Sequence, residues 1–174
     1  MNKKISIFVF FISTILFSVI LSQKVFSQAS FSAKTDFTAG NSPTSINSAD
    51  FNGDGKTDII AGNQFGNNFS VFMNTTVTNA STPSFSAKTD FSAGTQPVGI
   101  AIGDYNGDGK QYVAISNNNG NNVSVFFNTT TTGAATPTFS AKTDFSVGSD
   151  PVQITSADFN GDGKLDIAVV NRLS

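Results

Sequence analysis

Short stretches of alternating polar and apolar residues make up most of the chain after an apolar opening. Residues 98–102 alternate small and apolar side chains, residues 112–115 are mainly apolar, and residues 123–127 read Val-Ser-Val-Phe-Phe. Gly, Asn, Pro or Ser bounds each stretch, and the Asn/Gly run at 117–122 suits the positive φ of tight hairpin turns. This pattern predicts β-strands joined by hairpins. Outside the opening, no stretch keeps a helical period.

The same order of stretches recurs at a constant spacing along the chain. The sequence Phe-Ser-Ala-Lys-Thr-Asp-Phe occupies residues 31–37, 85–91 and 139–145. A loop of the form Asp-x-Asn-x-Asp-Gly starts at Asp50, Asp104 and Asp158. Four strands in about 54 residues fit one blade of a β-propeller, so we predict an all-β chain of blades with four antiparallel strands each. The repeat units lie near residues 41–94, 95–148 and 149–174, the last one partial.

The repeat resembles the FG-GAP or VCBS type of β-propeller blade, which occurs in integrin α-subunit heads and in many bacterial surface proteins. The resemblance covers residues 29–174, and the Asp loop is its closest part. In that family the loop joins the innermost strand of a blade to the next strand. A propeller needs at least about four blades, and this chain supplies about two and a half. We therefore expect either a fragment of a longer protein or self-assembly of several copies.

Each Asp loop carries oxygen groups at the positions that calcium prefers. Calcium takes carboxylate, amide and carbonyl oxygens, and a glycine at loop position 6 permits the sharp turn between ligands. The side chains at positions 1, 3, 5 and 9 and the carbonyl at position 7 are the candidate ligands. In the first loop they are Asp50, Asn52, Asp54, Lys56 and Asp58. In the third loop they are Asp158, Asn160, Asp162, Lys164 and Asp166.

The middle loop departs from this set at position 9. Its other candidate ligands are Asp104, Asn106, Asp108 and the carbonyl of Lys110. Position 9 is Tyr112, and a phenol is a poor ligand for calcium. We expect this loop to bind calcium more weakly, with water in place of the lost carboxylate, or not at all.

Other interpretations of the loops agree less well with the sequence. An EF-hand needs a bidentate Glu at position 12 and flanking helices, whereas position 12 here is Ala61, Ile115 or Val169. A role as plain turns would explain the glycines but not three regular copies of the Asp spacing. A glycosidase-like carboxylate pair is disfavoured, because the carboxylates repeat identically at metal-ligand spacing.

The repeated Lys-Thr-Asp within residues 31–37, 85–91 and 139–145 leaves two interpretations open. It is either a binding stripe on the surface or part of an outer strand. We favour the outer strand, with its Phe residues packed inward and its polar residues facing water.

The composition restricts the available chemistry to oxygen ligands. The chain has no His, Cys or Trp, and all twelve acidic residues are Asp. These absences exclude a Ser-His-Asp triad, a Cys nucleophile and a typical zinc site. The oxygen groups that remain are the ligands of hard cations, so we expect Ca²⁺ as the cofactor.

The opening of the chain has the form of a signal peptide. Lys3 and Lys4 precede an apolar run over residues 5–21, and small residues follow near a cleavage position. This predicts a signal peptide at residues 1–27 and repeats over residues 28–174. The alternative is an uncleaved membrane anchor, since the run approaches the length of a membrane span. We expect a secreted or cell-surface protein that leaves the membrane after cleavage.

The charge of the segment after the leader argues against nucleic acid as a partner. Without its three leader lysines, the chain holds seven basic residues against twelve Asp. Phosphate binding needs a basic face, so the expected partner is an extracellular protein or a glycan. The resemblance implies a non-enzymatic adhesion or ligand-binding scaffold. A carbohydrate-binding propeller and an accessory region of a larger exported enzyme remain as alternatives.

Overall fold

The computed structural model describes residues 4–7, by their backbone alone, and residues 33–173. The rest of the predicted signal peptide lies outside the described residues. The described chain contains β-strands and two short 3-10 helices, Gln64–Gly66 and Asn118–Gly120, and no helix in it is long and apolar enough to cross a membrane. The strands are β1 Lys4–Ile7, β2 Thr35–Thr38, β3 Pro43–Ala49, β4 Asp58–Asn63, β5 Asn68–Phe72, β6 Thr89–Ser92, β7 Pro97–Gly103, β8 Tyr112–Asn117, β9 Asn122–Phe126, β10 Thr143–Ser146, β11 Ser149–Ala157 and β12 Asp166–Leu173.

The strands form two four-stranded antiparallel sheets and two strand pairs. The first sheet has the order β3-β4-β5-β6, which we call unit 1, and the second has the order β7-β8-β9-β10, which we call unit 2. Strands β11 and β12 pair with each other as the beginning of unit 3, and β1 pairs with β2. The sheets do not close into a ring. The predicted fold class, an incomplete set of four-stranded propeller blades, is confirmed.

Units 1 and 2 are held together by an apolar core centred on Phe69 of β5. Phe69 is fully buried, and its ring lies 5.2 Å from Phe91 and 4.9 Å from Phe126 of unit 2. Phe139, also from unit 2, approaches Phe91 edge-on at 5.0 Å. Alternation along β5, β6 and β9 directs Phe69, Phe91 and Phe126 to the faces at which units 1 and 2 meet, as a stacked repeat requires.

The Asn-rich turns adopt the backbone conformation that the sequence predicts. Each turn joins the second strand of a unit to the third through a short 3-10 helix. It ends at Asn67 in unit 1 and at Asn121 in unit 2, with φ values of 50° and 51°. Asn tolerates this left-handed region better than most residues with a β-carbon, which accounts for its use here.

The outer strands differ in part from the sequence prediction. In the second and third heptapeptides only the Thr-Asp-Phe end lies in a strand, and Phe85 and Phe139 form isolated bridges with Asn74 and Asn128. Asp90 does not simply face water, because its Oδ1 accepts a hydrogen bond of 2.6 Å from the buried hydroxyl of Ser70. The carboxylate also pairs with Lys88. The polar residues of this segment therefore make hydrogen bonds inside the blade as well as at its surface.

Candidate metal centres

The three Asp loops occupy equivalent places in the three units. Residues 50–58 form loop 1, residues 104–112 form loop 2, and residues 158–166 form loop 3. Each loop joins the first strand of its unit to the second. Each ends on the first residue of the second strand, so loop position 9 lies on the sheet while positions 1 to 8 lie outside it. The loops are thus anchored at both ends by rigid strands.

The Asp at position 1 holds the loop together by accepting backbone hydrogen bonds. Oδ1 of Asp50 accepts one from the amide of Gly53 at 2.7 Å, and its Oδ2 accepts one from the amide of Gly55 at 2.8 Å. Asp104 and Asp158 make the same two contacts in loops 2 and 3. These donors favour the charged carboxylate, and they lower the pKa of Asp104 and of Asp158 below the ordinary value of an Asp.

Glycine is required inside the loop because the backbone turns through positive φ. In loop 1, Gly53 has a φ of 66° and Gly55 a φ of 82°. Residues with a β-carbon rarely adopt these values. The turn brings successive amides to face Asp50, which explains why Gly occupies positions 4 and 6.

The side chains at positions 3 and 5 also accept hydrogen bonds from backbone amides of the loop. Oδ1 of Asn52 accepts a hydrogen bond of 3.1 Å from the amide of Asp54, whose own Oδ1 accepts one of 2.9 Å from the amide of Lys56. Loop 3 repeats both bonds through Asn160 and Asp162. The side chains at positions 1, 3 and 5 thus all accept backbone amides of the same turn.

Position 9 has a structural role that the sequence alone does not reveal. Asp58 is fully buried at the start of β4, and its two oxygens accept hydrogen bonds from the amides of Phe51, at 2.9 Å, and Asn74, at 2.7 Å. Burial away from water raises the pKa of Asp58 in spite of these donors. In loop 3, Asp166 accepts the equivalent bond from the amide of Phe159 at 3.1 Å. The position-9 carboxylate thus ties the loop to the sheet.

Loop 2 replaces this carboxylate with the side chain of Tyr112. The ring is buried against Phe127, with the centroids 5.0 Å apart in an edge-on arrangement. Its hydroxyl reaches back into the loop and donates a hydrogen bond to Oδ2 of Asp108. Burial and the nearby Asp108 carboxylate raise the pKa of Tyr112 to about 12, so the hydroxyl keeps its proton at neutral pH.

Loop 1 is also fastened to the neighbouring unit. The amide group of Asn52 donates to the carbonyl of Ala134 at 2.9 Å, and the backbone amide of Gly133 donates to the carbonyl of Asn52 at 2.8 Å. Asn128 adds a bond of 2.8 Å from its side chain to the carbonyl of Phe51. The conformation of loop 1 is therefore coupled to the packing of unit 2 on unit 1.

The chemistry of the loops fits a hard cation. Their side-chain acceptors are carboxylate and amide oxygens, and a carboxylate offers about four lone-pair sites, so one that accepts a backbone amide keeps further capacity. Within the described ranges, however, no three acidic side chains already meet as a cluster of metal ligands. The predicted calcium ligands in loops 1, 2 and 3 therefore remain a prediction.

An apolar groove of about 540 Å³ lies between units 2 and 3. The side chains that line it include Val123, Val125, Phe145, Leu165, Ile167 and Val169. The equivalent space between units 1 and 2 holds Phe126 and Phe139. The groove is thus the space between two adjacent blades.

The stacked antiparallel blades and their recurring Asp loops define a β-propeller repeat protein. The family model described as FG-GAP-like repeat matches residues 50–115 and again residues 104–169. The chain belongs to this family. FG-GAP repeats suggest a propeller-type domain for ligand binding or adhesion. Repeats of this family are generally non-catalytic and typically occur in extracellular domains. No curated protein matches the chain.

Proposed function

We propose that this protein is an exported, non-catalytic binding scaffold whose blades are stabilised by calcium in loops 1 and 3. The observation that supports it best is the recurrence of one oxygen-bearing loop at the same place in successive blades. Calcium would neutralise the carboxylates that each of these loops carries, whose like charges repel one another. In such a scaffold the metal stabilises the loops between strands and takes no part in a reaction.

The ligands proposed for loop 1 are side-chain oxygens of Asp50, Asn52, Asp54 and Asp58 and the carbonyl of Lys56. Loop 3 would use Asp158, Asn160, Asp162, the carbonyl of Lys164 and Asp166. Asp50 and Asp158 already face into the turn through their contacts with loop amides, which supports their place in the set. The buried Asp58 would link the metal to the sheet, since it is fixed by amides from two segments.

Export and an extracellular partner complete the proposal. The basic start and the apolar run within residues 1–27 support export through a signal peptide. The acidic balance after the leader supports an extracellular protein or glycan, bound on the loop faces, over a nucleic acid. Extracellular ligand binding is also the usual setting of FG-GAP-like repeats.

A calorimetric titration of the purified chain with calcium tests the metal assignment. Asp54→Ala and Asp162→Ala should each remove most of the affinity of one site, because each deletes a carboxylate from a full set. Asp108→Ala should change the calcium isotherm little. Asp150→Asn is a matched control, since Asp150 lies outside the loops and pairs with Arg172. Wild-type protein that gives no binding heat with millimolar calcium and no change in melting temperature would overturn the proposal.

A further inference from the structure

Loop 2 has the same internal hydrogen bonds as the other loops although it lacks their position-9 carboxylate. Asp104 accepts the amides of Gly107 and Gly109, both at 2.7 Å, as Asp50 does with its own glycines. Oδ1 of Asp108 accepts the amide of Lys110 at 2.9 Å. The loss of one candidate ligand has therefore not changed the conformation of the turn.

What differs is the second oxygen of the position-5 carboxylate. In the hydrogen bonds of the described residues, Asp54 and Asp162 each accept through Oδ1, from the amides of Lys56 and Lys164. Asp108 accepts in addition through Oδ2, from the hydroxyl of Tyr112. A hydroxyl hydrogen donated to a carboxylate makes a strong, charge-assisted hydrogen bond. It places partial positive charge beside Oδ2 of Asp108.

The rest of the environment holds this hydroxyl in place. Tyr112 is the first residue of β8, it is 2% exposed, and its ring packs on Phe127. The buried ring cannot swing away from the loop without opening this contact.

We propose that the Tyr112 hydroxyl substitutes for the metal in loop 2, closing the loop through Asp108 so that this blade is stable without calcium. The inference rests on the proposed function, because it compares loop 2 with loops 1 and 3 as calcium sites. It predicts two calcium equivalents per chain, both outside loop 2. A single residue at position 9 then decides whether a blade of this protein depends on calcium or is independent of it.

Terbium provides a selective test because both tyrosines of the chain, Tyr105 and Tyr112, belong to loop 2, and there is no Trp. A terbium ion in loop 2 would be excited through tyrosine, whereas loops 1 and 3 have Phe51 and Phe159 where loop 2 has Tyr105. We expect wild-type protein to bind two equivalents of terbium by calorimetry with little tyrosine-sensitised emission. Tyr112→Asp should add a third equivalent and sensitised emission through Tyr105. A third equivalent with strong sensitised emission in wild-type protein would overturn the inference.

A second measurement is independent of metal. In chelator, Tyr112→Phe should lower the melting temperature, since it keeps the ring and removes the hydroxyl. Tyr105→Phe is the matched control and should lower it less, because the other loops carry Phe at that position. An unchanged melting temperature for Tyr112→Phe would refute the closing role of the hydroxyl. If wild-type protein binds no metal but Tyr112→Phe is destabilised, the proposed function fails and the closing role of Tyr112 stands.

Discussion

Asn63 shows how a single buried polar residue connects the parts of a blade. Its side-chain nitrogen donates to Ser70 Oγ and to Asn68 Oδ1, both at 2.8 Å, and its oxygen accepts the amide of Gly40 at 3.0 Å. The Ser70 hydroxyl in turn donates a hydrogen bond to Asp90 of the outer strand. Asn117 makes the equivalent contacts in unit 2. The network links three strands and the preceding turn, and each of its polar groups has a hydrogen-bond partner.

Truncation of Asn63 should therefore destabilise the protein. Asn63→Ala leaves the Gly40 amide and the Ser70 hydroxyl short of a partner in the interior, and we expect a loss of about 1–3 kcal/mol in the free energy of unfolding. Denaturant unfolding measures it, with Asn41→Ala at an exposed position as the control. A loss no larger than that of the control would show that the network does not contribute to stability.

The loop residues mark the limit of prediction from sequence at this scale. The Asp spacing predicts which oxygens share a turn, because positions 1, 3 and 5 are close along the chain. It does not predict that Asp58 accepts the amide of Asn74, since that contact joins segments 16 residues apart. Nor does it predict the hydrogen bond from the Tyr112 hydroxyl to Asp108, because the side-chain rotamer of Tyr112 depends on its packing against Phe127.

At the scale of elements, the alternating pattern was enough to predict the strands. Residues 98–102 lie within β7, and residues 123–127 overlap β9, because period-two alternation in short stretches suits a pleated strand. The outer strands were less predictable. Residues 85–88 look like the rest of a strand but leave the sheet after one bridge, and Asp90 turns to Ser70. Their conformation depends on the neighbouring strand more than on local pattern.

Phe91 and Phe145 are the same residue at the same repeat position, in different surroundings. Phe91 packs against Phe69 and Phe139, whereas Phe145 is 55% exposed in the groove between units 2 and 3. Burial of an aromatic ring stabilises a fold in proportion to the apolar area removed from water.

The two positions should therefore respond differently to truncation. We expect Phe91→Ala to lower the free energy of unfolding by about 2 kcal/mol or more. Phe145→Ala should change it by less than about 0.5 kcal/mol, as at other exposed sites. Denaturant unfolding of both variants compares them directly. Equal losses would contradict the open groove and indicate that another segment or chain covers Phe145 in solution.

At the scale of the whole molecule, two kinds of interaction hold the blades in place. The aromatic core around Phe69 joins units 1 and 2, and loop 1 is fastened across the same boundary through Asn52 and Ala134. A ligand that stabilises loop 1 should therefore stabilise the stacking of the blades and not only the loop. This coupling makes global unfolding a suitable readout for metal binding at a local turn.

Thermal unfolding with calcium and with chelator tests the central claim most directly. A ligand that binds only the folded state adds about 2.7 kcal/mol per site at a hundred times its dissociation constant. We expect millimolar calcium to raise the melting temperature of the purified chain by several degrees and chelator to abolish the gain, with sodium chloride of equal ionic strength as the control. The same melting temperature in calcium and in chelator would contradict the account.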